Sequence, residues 1–275
     1  MKESQKIIKY LAIALAIFLI VLIISFITAG LYGIYKVFDF KIEPRISTYE
    51  KASCGDIKNI NALDIKLDYS NLEIIKGKKF KVELNDKNFT CSNSNGNVSI
   101  KQVRRFSFKS KDTNLRIYIP SNVKLDSFSI ENGVGKTKIE YINAKRVHLD
   151  FGAGKTTIED IISDDAKLNT GAGLFEIKSG TMKNVDFDSG VGKCDITAKI
   201  DGTSKFDTGI GNLSLNLIGD SNNYKIIVNK GIGDVLIDNV SKADNSITGN
   251  GDNVVSINSG IGKVYVNYIK KVSDL

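Results

Sequence analysis

The chain has no tryptophan, one histidine, two prolines and three cysteines in 275 residues. The missing tryptophan weakens any sugar-stacking site, although 10 tyrosines remain. The single histidine, His148, follows apolar Val147 and reads as facing outward on a strand. No serine or cysteine therefore has a placed base beside it, and no catalytic residue is assigned. Cys54, Cys91 and Cys194 are odd in number and lack metal-ligand spacing. Cys54 and Cys91 could pair in an oxidising compartment, although nothing but their number suggests it. Cys194 reads as a small core residue. Helical periodicity is missing everywhere except in one N-terminal segment.

What is abundant is repetition. Glycine-small-glycine occurs at Gly133-Val134-Gly135 and returns every 19 residues, beginning at Gly152, Gly171, Gly190 and Gly209. Looser copies begin at Gly231 and Gly260, after 22 and 29 residues. A period near 20 is the signature of a solenoid, in which each coil buries its apolar face only against its neighbours. Three residues before each first glycine stands an apolar residue, from Ile130 and Leu149 to Ile257, and six after it an aliphatic one, such as Ile177 or Ile196. Two before it stands an acid or amide, such as Glu131, Asp150, Asp188 or Asp207. This polar column reads as turn chemistry beside a glycine of positive φ. The coils are expected to be all-β, about 19 residues each.

Residues 1–9 read as a short cytoplasmic tail, and Tyr10 to Tyr35 contains no charge. At about 1.5 Å per residue those 26 positions cross a hydrocarbon core of about 30 Å. Tyr10, Tyr32 and Tyr35 fit interfacial belts. A cleaved signal peptide is the alternative, but the run is long for one, Thr28-Ala29-Gly30 is a weak cleavage site, and no lipobox cysteine is present. The expectation is one uncleaved transmembrane helix over residues 10–35 held by the lipid bilayer, with the rest of the chain outside the cell membrane. Residues 36–60 then form a juxtamembrane stalk, 61–123 an N-terminal β segment of short alternating strands, and 124–271 the Gly-x-Gly solenoid.

Charge is uneven along the chain. Residues 51–123 hold 14 Lys and Arg against 7 Asp and Glu, whereas residues 124–275 hold 18 against 20. Lys78, Lys79, Arg104 and Arg105 form the candidate patch for an anionic lipid or wall polymer, set against the plainer reading of a solvated basic face. Nucleic acid does not suit a domain beyond a membrane span.

Several motifs imitate ligand sites. Gly135-Lys136-Thr137 and Gly154-Lys155-Thr156 resemble the end of a P-loop, but Ile130 and Leu149 stand where its first glycine belongs, and strands follow. The Gly-x-Gly pairs lack the third glycine and the helix of a dinucleotide site. The polar column is the best metal candidate, with Asp188 and Asp207 on neighbouring coils. Lys155 and Lys193 are expected close by, neutralising it, so no metal or cofactor is assigned. The acid pairs Glu159/Asp160 and Asp164/Asp165 fall near predicted turns. A polysaccharide-cleaving β-helix enzyme is the competing functional class.

The strand Arg116-Ile117-Tyr118-Ile119-Pro120 followed by strand, Gly-x-Gly and strand units resembles the Toastrack family of bacterial candidate adhesins over residues 60–270. The resemblance implies a single-stranded right-handed β-solenoid. It also implies a membrane-linked module without catalytic residues, associated with envelope-stress membrane proteins. It does not account for the spacings of 22 and 29 or for the loop at Ser241–Asn253.

Overall fold

A computed structural model describes residues 50–51, 54, 57, 59–85, 88–103 and 113–269, together with Leu15 and Phe18. The chain separates into Met1–Glu43 and Pro44–Leu275, and every described strand belongs to the second unit. The expected span over residues 10–35 lies outside the described residues apart from Leu15 and Phe18. Among the described residues, no helix is long and apolar enough to cross a membrane.

The first strands are short: β1 (Glu50–Lys51), β2 (Ala62–Tyr69), β3 (Asn71–Gly77), β4 (Lys81–Leu84), β5 (Phe89–Ser94), β6 (Asn97–Gln102) and β7 (Asn114–Pro120). Longer ones follow: β8 (Leu125–Ile139), β9 (Ile142–Ile158), β10 (Ile161–Ile177), β11 (Gly180–Lys183), β12 (Val185–Asp201) and β13 (Thr203–Ile218). The chain closes with β14 (Tyr224–Ile237), β15 (Val240–Ser241), β16 (Ser246–Thr248) and β17 (Asn253–Ile269). Aliphatic and aromatic residues at alternate positions produce these strands, because every second side chain points into the stack.

Parallel pairing builds the stack with an offset of one coil. Leu149 stands beside Leu168, Phe187 beside Phe206 and Ile196 beside Leu215, each 19 residues apart. The apolar columns fuse into one core, in which Phe151, Phe175, Phe187 and Phe206 form a ladder with ring centroids 5.7 to 6.2 Å apart. All of its buried apolar residues lie between Cys54 and Val266. A chain starting at Pro44 therefore contains every described residue of that core within one compact unit.

The alternation of buried and exposed residues slips three times in a coil, at pairs such as Glu159–Asp160, Asp164–Asp165 and Gly171–Ala172. Two successive residues facing outward mark a corner, so each coil is three-sided. The acid pairs thus occupy corners, one of them inside β10.

Both ends of the stack depart from chain order. β17 lies between β13 and β14, pairing in parallel with each, so Gly262 aligns with Gly211 on one side and Gly233 on the other. The 22- and 29-residue spacings follow: the chain passes to the outermost coil, then returns to fill the gap. The loop at 241–253 is that return path, and it carries β16, which pairs antiparallel with β14, as does β15 before it. At the other end β2 and β3 lie between β8 and the level formed by β6 and β7. Residues 61–123 thus supply two further levels without any Gly-x-Gly. There β5 covers β6, β4 covers β7 and β1 covers β4, all antiparallel. Such short strands satisfy the outermost backbone and blunt edges that would otherwise recruit other chains. A disulfide joins Cys54 to Cys91 with Cα atoms 4.9 Å apart, tying the entering segment to β5.

Candidate functional site

The Gly-x-Gly corner is the most regular surface feature of the stack. The second glycine of each pair adopts φ between 136° and 152°. A Cβ there would lie only 1.7 to 2.1 Å from a carbonyl oxygen of the adjacent coil. Conformation and close approach therefore both demand glycine. The middle residue, held between two glycines, has nowhere to turn but outward. From coil to coil the corner reads Tyr69, Val134, Ala153, Ala172 and Val191, then Ile210, Ile261 and Ile232. Val191, Ile210 and Ile232 are 42%, 53% and 73% exposed. With strands about 4.8 Å apart, these eight levels form an apolar ridge about 34 Å long.

Two polar columns flank the ridge on opposite sides. The column two residues before the first glycine contains Glu131, Asp150, Asp188 and Asp207, with Asn169, Asn258 and Asn229 between or beyond them. Its residues lie within strands, and at both ends of the column side chains bond across coils rather than capping backbone N–H groups as a turn residue would. Asn229 donates to Asn258 at 2.7 Å, and Asn258 donates to Asp207 at 2.6 Å. Lys66 pairs with Glu131 and Lys205 with Asp207, and these carboxylates raise both ammonium groups above the usual lysine range. The column three residues after the first glycine carries Lys136, Lys155, Lys193 and Lys263. Lys193 reaches Asp195 at 3.5 Å and Lys263 reaches Asp234 at 4.0 Å. The expected neutralisation of the acid column by Lys155 and Lys193 does not occur, because the corner lies between the two columns.

Of the predicted basic patch, Lys78 and Lys79 are exposed in the bend between β3 and β4. Arg104 and Arg105 lie outside the described residues. Nearby cations are engaged locally. Arg116 pairs with Glu73 at 2.7 Å, Lys81 pairs with Glu83, and Lys76 sits 4.7 Å over the Tyr141 ring. These partners are acids and a tyrosine ring, and both acids already count in the balance of this half, so its net positive excess is unchanged.

His148 is half-buried on β9 between Ser129 and Lys167 of the adjacent coils. Cys194 is buried, and burial pushes its thiol up to about 11, which keeps it protonated and unreactive at neutral pH. Gly135-Lys136-Thr137 and Gly154-Lys155-Thr156 run inside β8 and β9. Among the described residues, no group of three or more His, Cys, Asp or Glu is placed to hold a metal.

Parallel coils in 19-residue register, turning on a glycine corner, define a β-solenoid repeat protein. The Toastrack DUF4097 family model matches residues 51–267, and the chain belongs to that family. A solved candidate adhesin from Bacteroides fragilis is similar at 13% identity with a TM-score of 0.54, covering 82% of this chain and 100% of its own. A candidate cell adhesion protein from Clostridium sporogenes aligns at 14% identity and a TM-score of 0.35, covering 81% and 100%. A candidate lipid binding protein from Parabacteroides distasonis aligns at 10% and 0.35, covering 80% and 96%. At these identities the likeness to the first concerns the fold alone. No curated protein matches the chain.

Proposed function

We propose that the chain is a bacterial envelope protein whose solenoid acts as a non-enzymatic binding, scaffold or stress-sensing module outside the membrane. Residues 10–35 are its single transmembrane helix, residues 1–9 stay cytoplasmic, and the coils wind in the right-handed sense that parallel β connections favour. The observation that carries this reading is the repetition of outward columns. An apolar residue recurring about every 4.8 Å between polar columns suits a polymeric or laterally extended partner better than a small molecule. The Cys54–Cys91 disulfide suits an oxidising compartment. The description of the Bacteroides fragilis neighbour as a candidate adhesin is compatible with it.

Lys78, Lys79, Arg104 and Arg105 meet an anionic lipid or wall polymer near the membrane. Each such cation contributes roughly 1 kcal/mol near an anionic surface, within a Debye length of about 10 Å at 0.1 M salt. Binding is therefore weak, additive and salt-sensitive. The test is co-sedimentation of residues 44–275 with anionic vesicles, neutral vesicles and purified wall polymer across a salt series. Anionic surfaces should retain the protein at low salt, and replacing the four cations by Gln should release it without changing the melting temperature. Equal sedimentation with neutral vesicles, or an unchanged four-fold variant, removes the patch from the argument. Shortening of the polymer by the protein would return the reading to a carbohydrate-active enzyme.

A further inference from the structure

We propose that two copies of this chain pair through the glycine corner, side by side and pointing the same way. The inference rests on the coils alone and is independent of the basic patch and of the membrane span.

The ridge is apolar, exposed at its six larger residues and half-buried at Ala153 and Ala172, and no element of the described structure covers it. Charge decides what fits against it. At three levels a coil carries an acid on one side of the ridge and a lysine on the other: Glu131 and Lys136, Asp150 and Lys155, Asp188 and Lys193. A two-fold axis along the stack sets the acid column of each copy against the lysine column of the other. All three levels then match twice, with Glu131 and Lys193 shared between that contact and Lys66 and Asp195 of their own copy, and each ridge residue meets its own counterpart. Reversing one copy end to end instead places acids against acids and lysines against lysines, which opposes association. The same surface thus favours one arrangement and rejects the other.

The contact is small. A strip about 34 Å long and about 10 Å wide presents roughly 350 Å² per copy, below the about 800 Å² of a standard interface. The pair is therefore weak in dilute solution and strengthens where copies are concentrated and equally oriented.

Single cysteines report the geometry. Val134→Cys samples the level next to one end of the ridge, Ile232→Cys the other end and Val191→Cys the middle, and Lys199→Cys samples an exposed position away from it. Background is low, because Cys54 and Cys91 are already joined and Cys194 is buried. Each variant is oxidised mildly at high protein concentration, both as full chain and as residues 44–275. All three ridge variants should form disulfide-linked homodimers in both preparations, several-fold more than Lys199→Cys. In the Val191→Cys background, Asp188→Lys alone or Lys193→Asp alone should cut the yield several-fold, and the two together should restore it. Four results overturn the proposal. These are equal yields on and off the ridge, a mixed Val134→Cys with Ile232→Cys product without end-position homodimers, a double reversal no better than either single one, and capture of a different protein in place of a second copy. All of these readouts are independent of vesicle binding by the basic patch.

Discussion

Gly192 offers a direct measure of how tightly the coils are drawn together at the corner. Its φ is +148°, and an added Cβ would lie 2.0 Å from the carbonyl oxygen of Gly173 and 2.9 Å from its carbon. Alanine there carries two costs. The backbone conformation itself costs about 1–3 kcal/mol for a residue with a side chain. The clash is with backbone, so β10 and β12 must part locally, stretching two or three ladder hydrogen bonds worth about 1 kcal/mol each. Gly192→Ala should therefore lose about 3–6 kcal/mol. Gly219 separates the two contributions. Its φ is +137°, but the nearest atom to an added Cβ is the side-chain Nδ2 of Asn223 at 3.2 Å. Gly219→Ala should carry only the conformational cost of about 1–3 kcal/mol. Urea and thermal unfolding of residues 44–275 in both variants gives the comparison. A Gly192→Ala loss no greater than that of Gly219→Ala would refute the reasoning, since close approach would then contribute nothing.

Two further outcomes test the register and the staple. Ile196 is fully buried and Asp195 faces outward beside Lys193, so Ile196→Asp should cost several kcal/mol and Asp195→Lys under about 1 kcal/mol, with equal losses in thermal melts counting against the stack. Replacing Cys54 and Cys91 together by Ser should remove up to about 4 kcal/mol, because the closed loop spans 37 residues; two titratable thiols from this pair in the folded, unreduced wild type would show that the bridge does not form.

The middle of the solenoid was legible because glycine is irreplaceable at the corner, and an irreplaceable residue leaves a period. The ends were not. β2 and β3 carry Asp68-Tyr69-Ser70 where later coils carry Gly-x-Gly, so their membership in the stack has no motif to betray it. Non-sequential stacking is equally silent, because Gly231 and Gly260 look the same whichever lies outermost. The exposed ridge was hidden by a slip in phase. Alternation read along a strand assigns Val191 and Ile210 no face, yet two adjacent glycines turn both outward. The available signal was chemical: an apolar residue stood at every middle position although no buried column continued through it.

The placement of β17 between β13 and β14 also governs how this protein can be made and how it can change. β17 is made after both of its neighbours and must slide between coils already present, so the assembly stays open there until β17 emerges. Growth by duplication is restricted in the same way. An extra 19-residue unit can enter between β8 and β13, where neighbours in sequence are neighbours in space, whereas a unit appended after β17 would have no free edge to join. The closing segment behaves as a keystone: the length of the rod can vary, but only from its interior.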